Sequence, residues 1–172
     1  ELMSIPVYAL AGFRRASLRS NESAVKYFLI GSFASGILLY GSSLLYGATG
    51  SLELSEIATS FDPENALDLV GAGMVLIGLG FKISSVPFQQ WAPDTYEGAP
   101  TPVTAFLAVA SKAAGFVALI QVVFYGFYVR PDVIEPLFFV LAVASMTIGN
   151  LIALKQTNVV RMLAYSGIAQ AG

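Results

Sequence analysis

Four apolar runs, each longer than twenty residues, divide the chain: 23–46, about 67–90, 102–128 and 133–154. About 20 mostly apolar residues let a helix cross the hydrocarbon core of a bilayer, so each run predicts a transmembrane helix. The second loses its unbroken apolar character after Phe88. Shorter apolar stretches flank the four: 1–13 reads as the end of one helix and 159–172 as the start of another. Polar joints separate them, RRASLRSNES, GATGSLELSEIATSFDPEN, WAPDTYEGAPT, RPDVIEP and KQTN. Membrane β-strands would alternate strictly over about ten residues, and these runs are unbroken and twice that long. The predicted fold class is an all-α polytopic membrane protein, a transmembrane helix bundle with a single domain over 1–172. Ser20 or Asn21 is expected to cap the first full helix and Asn65 the second.

Composition agrees with that phase. Of 172 residues, 56% are hydrophobic and 12% charged, about half the charged fraction of a soluble domain. No cysteine and no histidine are present, which removes disulfides, thiolate nucleophiles and the commonest general base and metal ligand. A net charge of −2 gives no basis for nucleic-acid binding. The chain starts at Glu1 inside one apolar stretch, stops at Gly172 inside another and has no signal-peptide pattern. It reads as a piece of a longer multi-span protein.

Lysine and arginine set the orientation. Arg14, Arg15, Arg19, Lys26, Lys155 and Arg161 fall at one set of joints, while the opposite set has only Arg130 and an acidic loop with Glu53, Glu56, Asp62 and Glu64. The basic side is therefore expected to be cytoplasmic. Lys26 reads as a snorkelling anchor four residues after Glu22, and Lys155 and Arg161 as further anchors. Asp94 and Glu97 are expected in a loop, in capping and turn roles. Gln121 and Asn150 are expected as interhelical hydrogen-bond glue.

Three ionisable residues do not fit an interfacial role. At 1.5 Å per residue, Glu1 lies about 20 Å from the basic side, Lys82 about 22 Å from the opposite one and Lys112 about 15 Å from the basic side. In a core about 30 Å thick, all three fall in its middle third. A charge at that depth costs about 2.5–3.5 kcal/mol and persists only when it faces the bundle interior, paired or hydrated. Small residues surround them: Gly78 and Ser85 near Lys82, Ala108, Ser111 and Gly115 near Lys112. Desolvation weakens the proton affinity of an ammonium and a nearby carboxylate restores it, so a lysine with a movable partner is a proton relay. Pro87, five residues after Lys82, lacks the donor that the carbonyl of Ile83 needs and predicts a discontinuous helix. The glycine-rich VGAGMVLIGLG has no dinucleotide-site context and reads as helix packing.

The stretch GFKISSVPFQQWAPDTYEGAPTPVTAFLAVASKAAG, residues 80–115, resembles the signature of the antiporter-like membrane subunits of respiratory complex I. ELMSIPVYALAGF at the start and GNLIALKQTNVVRMLAYSGIAQAG at the end resemble the same family. That resemblance implies two inverted five-helix repeats with broken helices, of which this chain is a fragment. It implies that Glu1 and Lys82 form a pair that opens and closes, that Lys82 passes its proton through water towards Lys112, and that Pro87 breaks the helix beside the path. No cofactor is implied in this chain; NAD, flavin, iron–sulfur clusters and quinone are expected in partner subunits. The implied partners are other complex I membrane subunits, lipid, water and protons, in the inner membrane of a bacterial cell. Gln89 and Gln170 stand where many relatives have histidine, so water would serve there.

Two other readings stay open: a subunit of a multisubunit cation/proton antiporter, and a structural membrane scaffold whose lysines only pair helices.

Overall fold

The computed structural model describes residues 2–127 and 131–172, the side chains of 132 and 133 excepted. The described residues form helices and turns without a strand. Helix α1 spans Ser4–Ala11, α2 Leu18–Thr49, α3 Leu54–Ser60, α4 Ala66–Ile83 and α5 Trp91–Gly98. One continuous helix over Thr101–Phe127 follows, made of α6 (Thr101–Phe106), a π turn (Leu107–Ser111), α7 (Lys112–Gln121) and a second π turn (Val122–Phe127). Helices α8 (Pro131–Ala153) and α9 (Val159–Ala171) complete the chain. Four of these helices, Leu18–Thr49, Ala66–Ile83, Thr101–Phe127 and Ile134–Ala153, are long and apolar enough to cross a membrane, and the chain is a multi-pass membrane protein.

Helix α2 begins before the apolar run does. Ser17 caps it, its Oγ accepting from the backbone N–H of Ser20 at 3.4 Å. The two residues expected as caps have other partners. Ser20 Oγ donates to the carbonyl of Ala11 (2.9 Å), and Asn21 Nδ2 to that of Arg15 (3.0 Å). The first ties α2 back to α1 and the second ties it to the turn between them. At its other end Gly50 takes the left-handed conformation, φ 76°, and its N–H closes on the carbonyl of Tyr46. Asn65 does cap α4, accepting from the N–H of Leu67 at 3.0 Å.

Helices α2 and α4 share the most extensive contact in the bundle. Glycine makes it possible: a Cβ on Gly41 would sit 2.7 Å from the carbonyl oxygen of Gly71 and from Cβ of Met74. Such small-residue contacts are how helices associate where no hydrophobic force distinguishes protein from lipid.

Helix α4 stops before Pro87. Ser84 adopts a left-handed conformation (φ 59°, ψ 37°) and turns its N–H back on the carbonyls of Gly80 and Phe81. Ser85 donates both its N–H (3.0 Å) and its hydroxyl (3.2 Å) to Gly80 O. Trp91 Nε1 donates to Phe81 O at 3.0 Å, and Ser145 Oγ on α8 accepts from the N–H of Val86 at 3.0 Å. Protein groups thus satisfy backbone polarity around the break, as an apolar environment requires.

After the break the expected polar joint is instead helix α5, with Trp91, Thr95 and Tyr96 buried. Trp91 stacks on Tyr27 of α2, ring centroids 4.7 Å apart, and lies against Phe81 and Tyr96. A Cβ on Gly98 would collide with Ser23 Cβ and the carbonyl of Arg19, so α5 lies directly on α2. Its two acids are not loop residues. Asp94 pairs with Lys26 (2.8 Å) and Arg161 (2.6 Å). Glu97 pairs with Arg161 (3.0 Å) and Arg19 (3.3 Å) and accepts from Asn158 Nδ2 (3.1 Å). Lys26 also reaches Glu22 at 2.7 Å. Arg161, expected as an anchor, is the hub of an ion-pair clasp joining α2, α5 and α9.

Partial burial works against the Asp94 carboxylate, but hydrogen bonds from Lys26 and Arg161 outweigh it and hold its pKa below the ordinary aspartate value. A depressed folded pKa contributes stability above the unfolded value of about 3.9, and that stability is lost as pH falls through the folded one. Thermal melting in detergent should therefore fall below about pH 4, and less so for Asp94→Asn. At neutral pH Asp94→Asn should cost about 1 kcal/mol, since the pairs are part-exposed. A neutral-pH melting curve unchanged by Asp94→Asn would mean the clasp carries no stability.

Candidate functional site

Lys82 is in the last turn of α4, brought there by the apolar run that forms the helix and left at its end by the turn at Ser84. Its Nζ donates to the hydroxyl of Ser4 on α1 at 2.7 Å, and Ser4 itself is buried. Beside them lies a cavity of about 350 Å³ bounded by α1, α2, α4 and α7, with Ser4, Tyr8, Ser35 and Lys82 as its polar wall.

Lys112 is the first residue of α7, where a π turn hands over to regular helix, and it is 8% exposed. Its Nζ donates to the carbonyl oxygen of Gly167 in α9 at 3.0 Å. The π turn changes which residues share its face. In a regular helix Ala108 would lie one turn below Lys112; here Ala108 is exposed and Leu107 is buried at 1%. A π turn repeats with five residues rather than four, and the expected small neighbour on that side is displaced. Gly115, on the other side, is buried as expected.

Gly115 also connects the two lysines. A Cβ on it would lie 3.3 Å from Cγ of Lys82 and 2.9 Å from Cγ2 of Ile83. The stem of Lys82 thus rests on α7 one turn beyond Lys112, so the two lysines come from adjacent turns of packed helices. Glu1, the third residue expected at this depth, lies outside the described residues.

Pro87 is on a different wall. With Ser85, Phe88, Leu137 and Ser145 it lines a separate, mainly apolar cavity of about 480 Å³ between α4 and α8. The wall beside the proline is thus apolar, while polar groups gather around Lys82. Gln89 has its Oε1 buried without a hydrogen-bond partner among the described residues, and Gln170 is exposed near the end of α9. Gln121 and Asn150 are exposed too, on faces that none of the described helices covers. Among the described residues no cluster of His, Cys, Asp or Glu is arranged to hold a metal ion.

Two lysine partners escaped the sequence reading. Ser4 had a signal, since it follows Glu1 by three residues, a spacing that puts two side chains on one face where a helix runs through both. The carbonyl of Gly167 had none, because a backbone acceptor carries no residue-type signature.

All 172 residues match the family described as NADH:quinone oxidoreductase/Mrp antiporter, TM. NADH-quinone oxidoreductase subunit N 1 of Sorangium cellulosum is 51% identical, the match covering 100% of this chain and 36% of that protein. A chain in the structure of respiratory complex I from Thermus thermophilus with bound aureothin superposes with a TM-score of 0.82 at 44% identity, covering 98% of this chain and 36% of that one. A chain of the Mrp complex from Dietzia sp. superposes with a TM-score of 0.85 at 26% identity, covering 96% and 31%. The chain thus spans about a third of the length of the relatives it matches. Matched over every residue, and half identical to a relative of that kind, the chain belongs to the NADH:quinone oxidoreductase/Mrp antiporter family of transmembrane proteins.

Proposed function

We propose that this chain is part of a proton-translocating membrane-arm subunit of an NADH:quinone oxidoreductase, in which Lys82 and Lys112 carry protons, with Glu1 as the movable partner of Lys82. The observation that carries the reading is the pair of lysines on adjacent turns of α4 and α7, each hydrogen-bonded to a polar group inside an apolar bundle. An ion pair that merely joined helices would need one lysine and a fixed carboxylate. Here two lysines lie on adjacent turns of packed helices, Nζ of Lys82 donating to a hydroxyl and Nζ of Lys112 to a backbone carbonyl. The cavity beside Lys82 has the volume of about ten water molecules, enough to hydrate its ammonium as a proton carrier requires. Redox chemistry belongs to other subunits, which would hold NAD, flavin, iron–sulfur clusters and quinone. Quinone reduction there would drive the change at Lys82. The subunit would sit in the inner membrane of a bacterial cell, with the clasp end towards the cytoplasm and other membrane subunits beside it.

A cation/proton antiporter subunit is the second reading, favoured by the likeness to the Mrp complex chain. Identity supports the first: 44% to the complex I chain against 26% to the Mrp chain.

In sealed vesicles holding the full-length protein in its complex, Lys82→Ala and Lys112→Ala should each reduce proton translocation coupled to quinone reduction by tenfold or so, the complex remaining assembled. Translocation at the wild-type rate in both variants would leave only a scaffold role. Sodium-dependent proton exchange without any redox donor would favour the antiporter. Gly115→Ala should lower translocation and cost about 1–3 kcal/mol in melting, because its Cβ overpacks Ile83 and the Lys82 stem. Equal melting and equal translocation in that variant would mean the Lys82 stem does not depend on the close approach of α7.

A further inference from the structure

Helix α1 turns Ser4, Val7, Tyr8 and Ala11 inward, and the Ser4 hydroxyl touches the Lys82 amine. We propose that the Ser4 hydroxyl is a positioning group for Lys82, holding its amine in one orientation in both protonation states. This rests on the reading of Lys82 as a proton carrier.

The chemistry of the partner is what distinguishes Ser4. An ionised carboxylate only accepts hydrogen bonds, so it holds an ammonium and has nothing to offer the lone pair of a neutral amine. A hydroxyl both accepts and donates. With Lys82 charged, Nζ–H donates to Ser4 Oγ, as the 2.7 Å contact has it. When Lys82 releases a proton to the next carrier, that N–H bond breaks and its electron pair stays on Nζ. The Ser4 hydroxyl then rotates and donates its own O–H to that pair, and Ser4 neither gains nor loses a proton. The heavy atoms need not move between the two states. A carboxylate that comes and goes can therefore change the proton affinity of Lys82, while Ser4 keeps the amine aimed.

The surroundings fit a fixed group rather than a mobile one. Ser4 is 5% exposed, and its helix is tied to α2 through the Ser20 hydroxyl on Ala11 O. Packing of Tyr8 against Tyr27, centroids 4.6 Å apart, holds α1 at the same place. Gly31 leaves room for that tyrosine, since a Cβ there would overlap its hydroxyl. On the opposite side the Lys82 stem is bounded by α7 at Gly115. The amine therefore sits between a rigid hydroxyl and a helix wall.

The test uses the full-length protein assembled in its complex, in sealed vesicles, with Ser4→Ala, Ser4→Thr, Ser4→Val and Lys82→Ala side by side. Threonine and valine share a shape and differ in the hydroxyl, so their difference reports that group alone. Protons moved per quinone reduced should fall severalfold in Ser4→Ala and Ser4→Val and stay near wild type in Ser4→Thr. Where Ser4→Val does not assemble, the smaller Ser4→Ala carries the comparison with Ser4→Thr. Wild-type translocation in Ser4→Ala beside an impaired Lys82→Ala would overturn the role of Ser4 alone. An equal fall in Ser4→Thr and Ser4→Val would overturn it as well, since shape rather than the hydroxyl would then matter. Normal translocation in Lys82→Ala would overturn the reading of Lys82 on which the proposal rests.

Discussion

An ammonium inside an apolar bundle must be given its partners by the protein, and the arrangement of α1, α4, α7 and α9 follows from that requirement. Helix α1 brings a hydroxyl to Lys82, and α9 brings a backbone carbonyl to Lys112. Helix α7 comes close enough to Lys82 for Gly115 to be the residue it rests on. Each of these acceptors takes a hydrogen bond from its lysine inside the bundle.

The interrupted helix meets a related constraint, since backbone groups freed at a break are as costly in this phase as an unpaired side chain. The Ser84 turn, the Ser85 hydroxyl and the Trp91 indole satisfy the carbonyls of Gly80 and Phe81. The helix beyond the break, α5, is then held by two different forces. Trp91 and Tyr27 stack at one level, and the clasp around Arg161 closes at the other. Stacking gives position in the apolar part, and the ion pairs fix α5 to α2 and α9 where charges can stay hydrated. Lys82 thus sits beside a joint whose two sides are anchored independently.

Long apolar runs are the strongest signal a membrane chain carries, and the helical class was legible from them. Less legible were the features that depend on neighbours. WAPDTYEG looks like a loop because Asp94 and Glu97 are polar, yet both are paired across helices and Trp91 is buried. Pro87 drew attention to the break, while the helix actually ends at a left-handed serine that no propensity rule would nominate. The π turn before Lys112 moved Ala108 off the expected face, and nothing in AFLAVASK announces an extra residue in that turn. Gln121 and Asn150 looked like interhelical glue because polar residues in apolar runs usually are. None of the described helices covers their faces, a matter of helix rotation that residue type alone does not report.

The central claim is that Lys82 and Lys112 change protonation as the parent complex turns over. Infrared difference spectra of the full-length protein in its complex, with isotope-labelled lysine, read that change directly. The account predicts turnover-dependent ammonium bands that shift with the label and disappear in the Lys82→Gln, Lys112→Gln double variant. Label-sensitive bands that persist unchanged in that variant would contradict it.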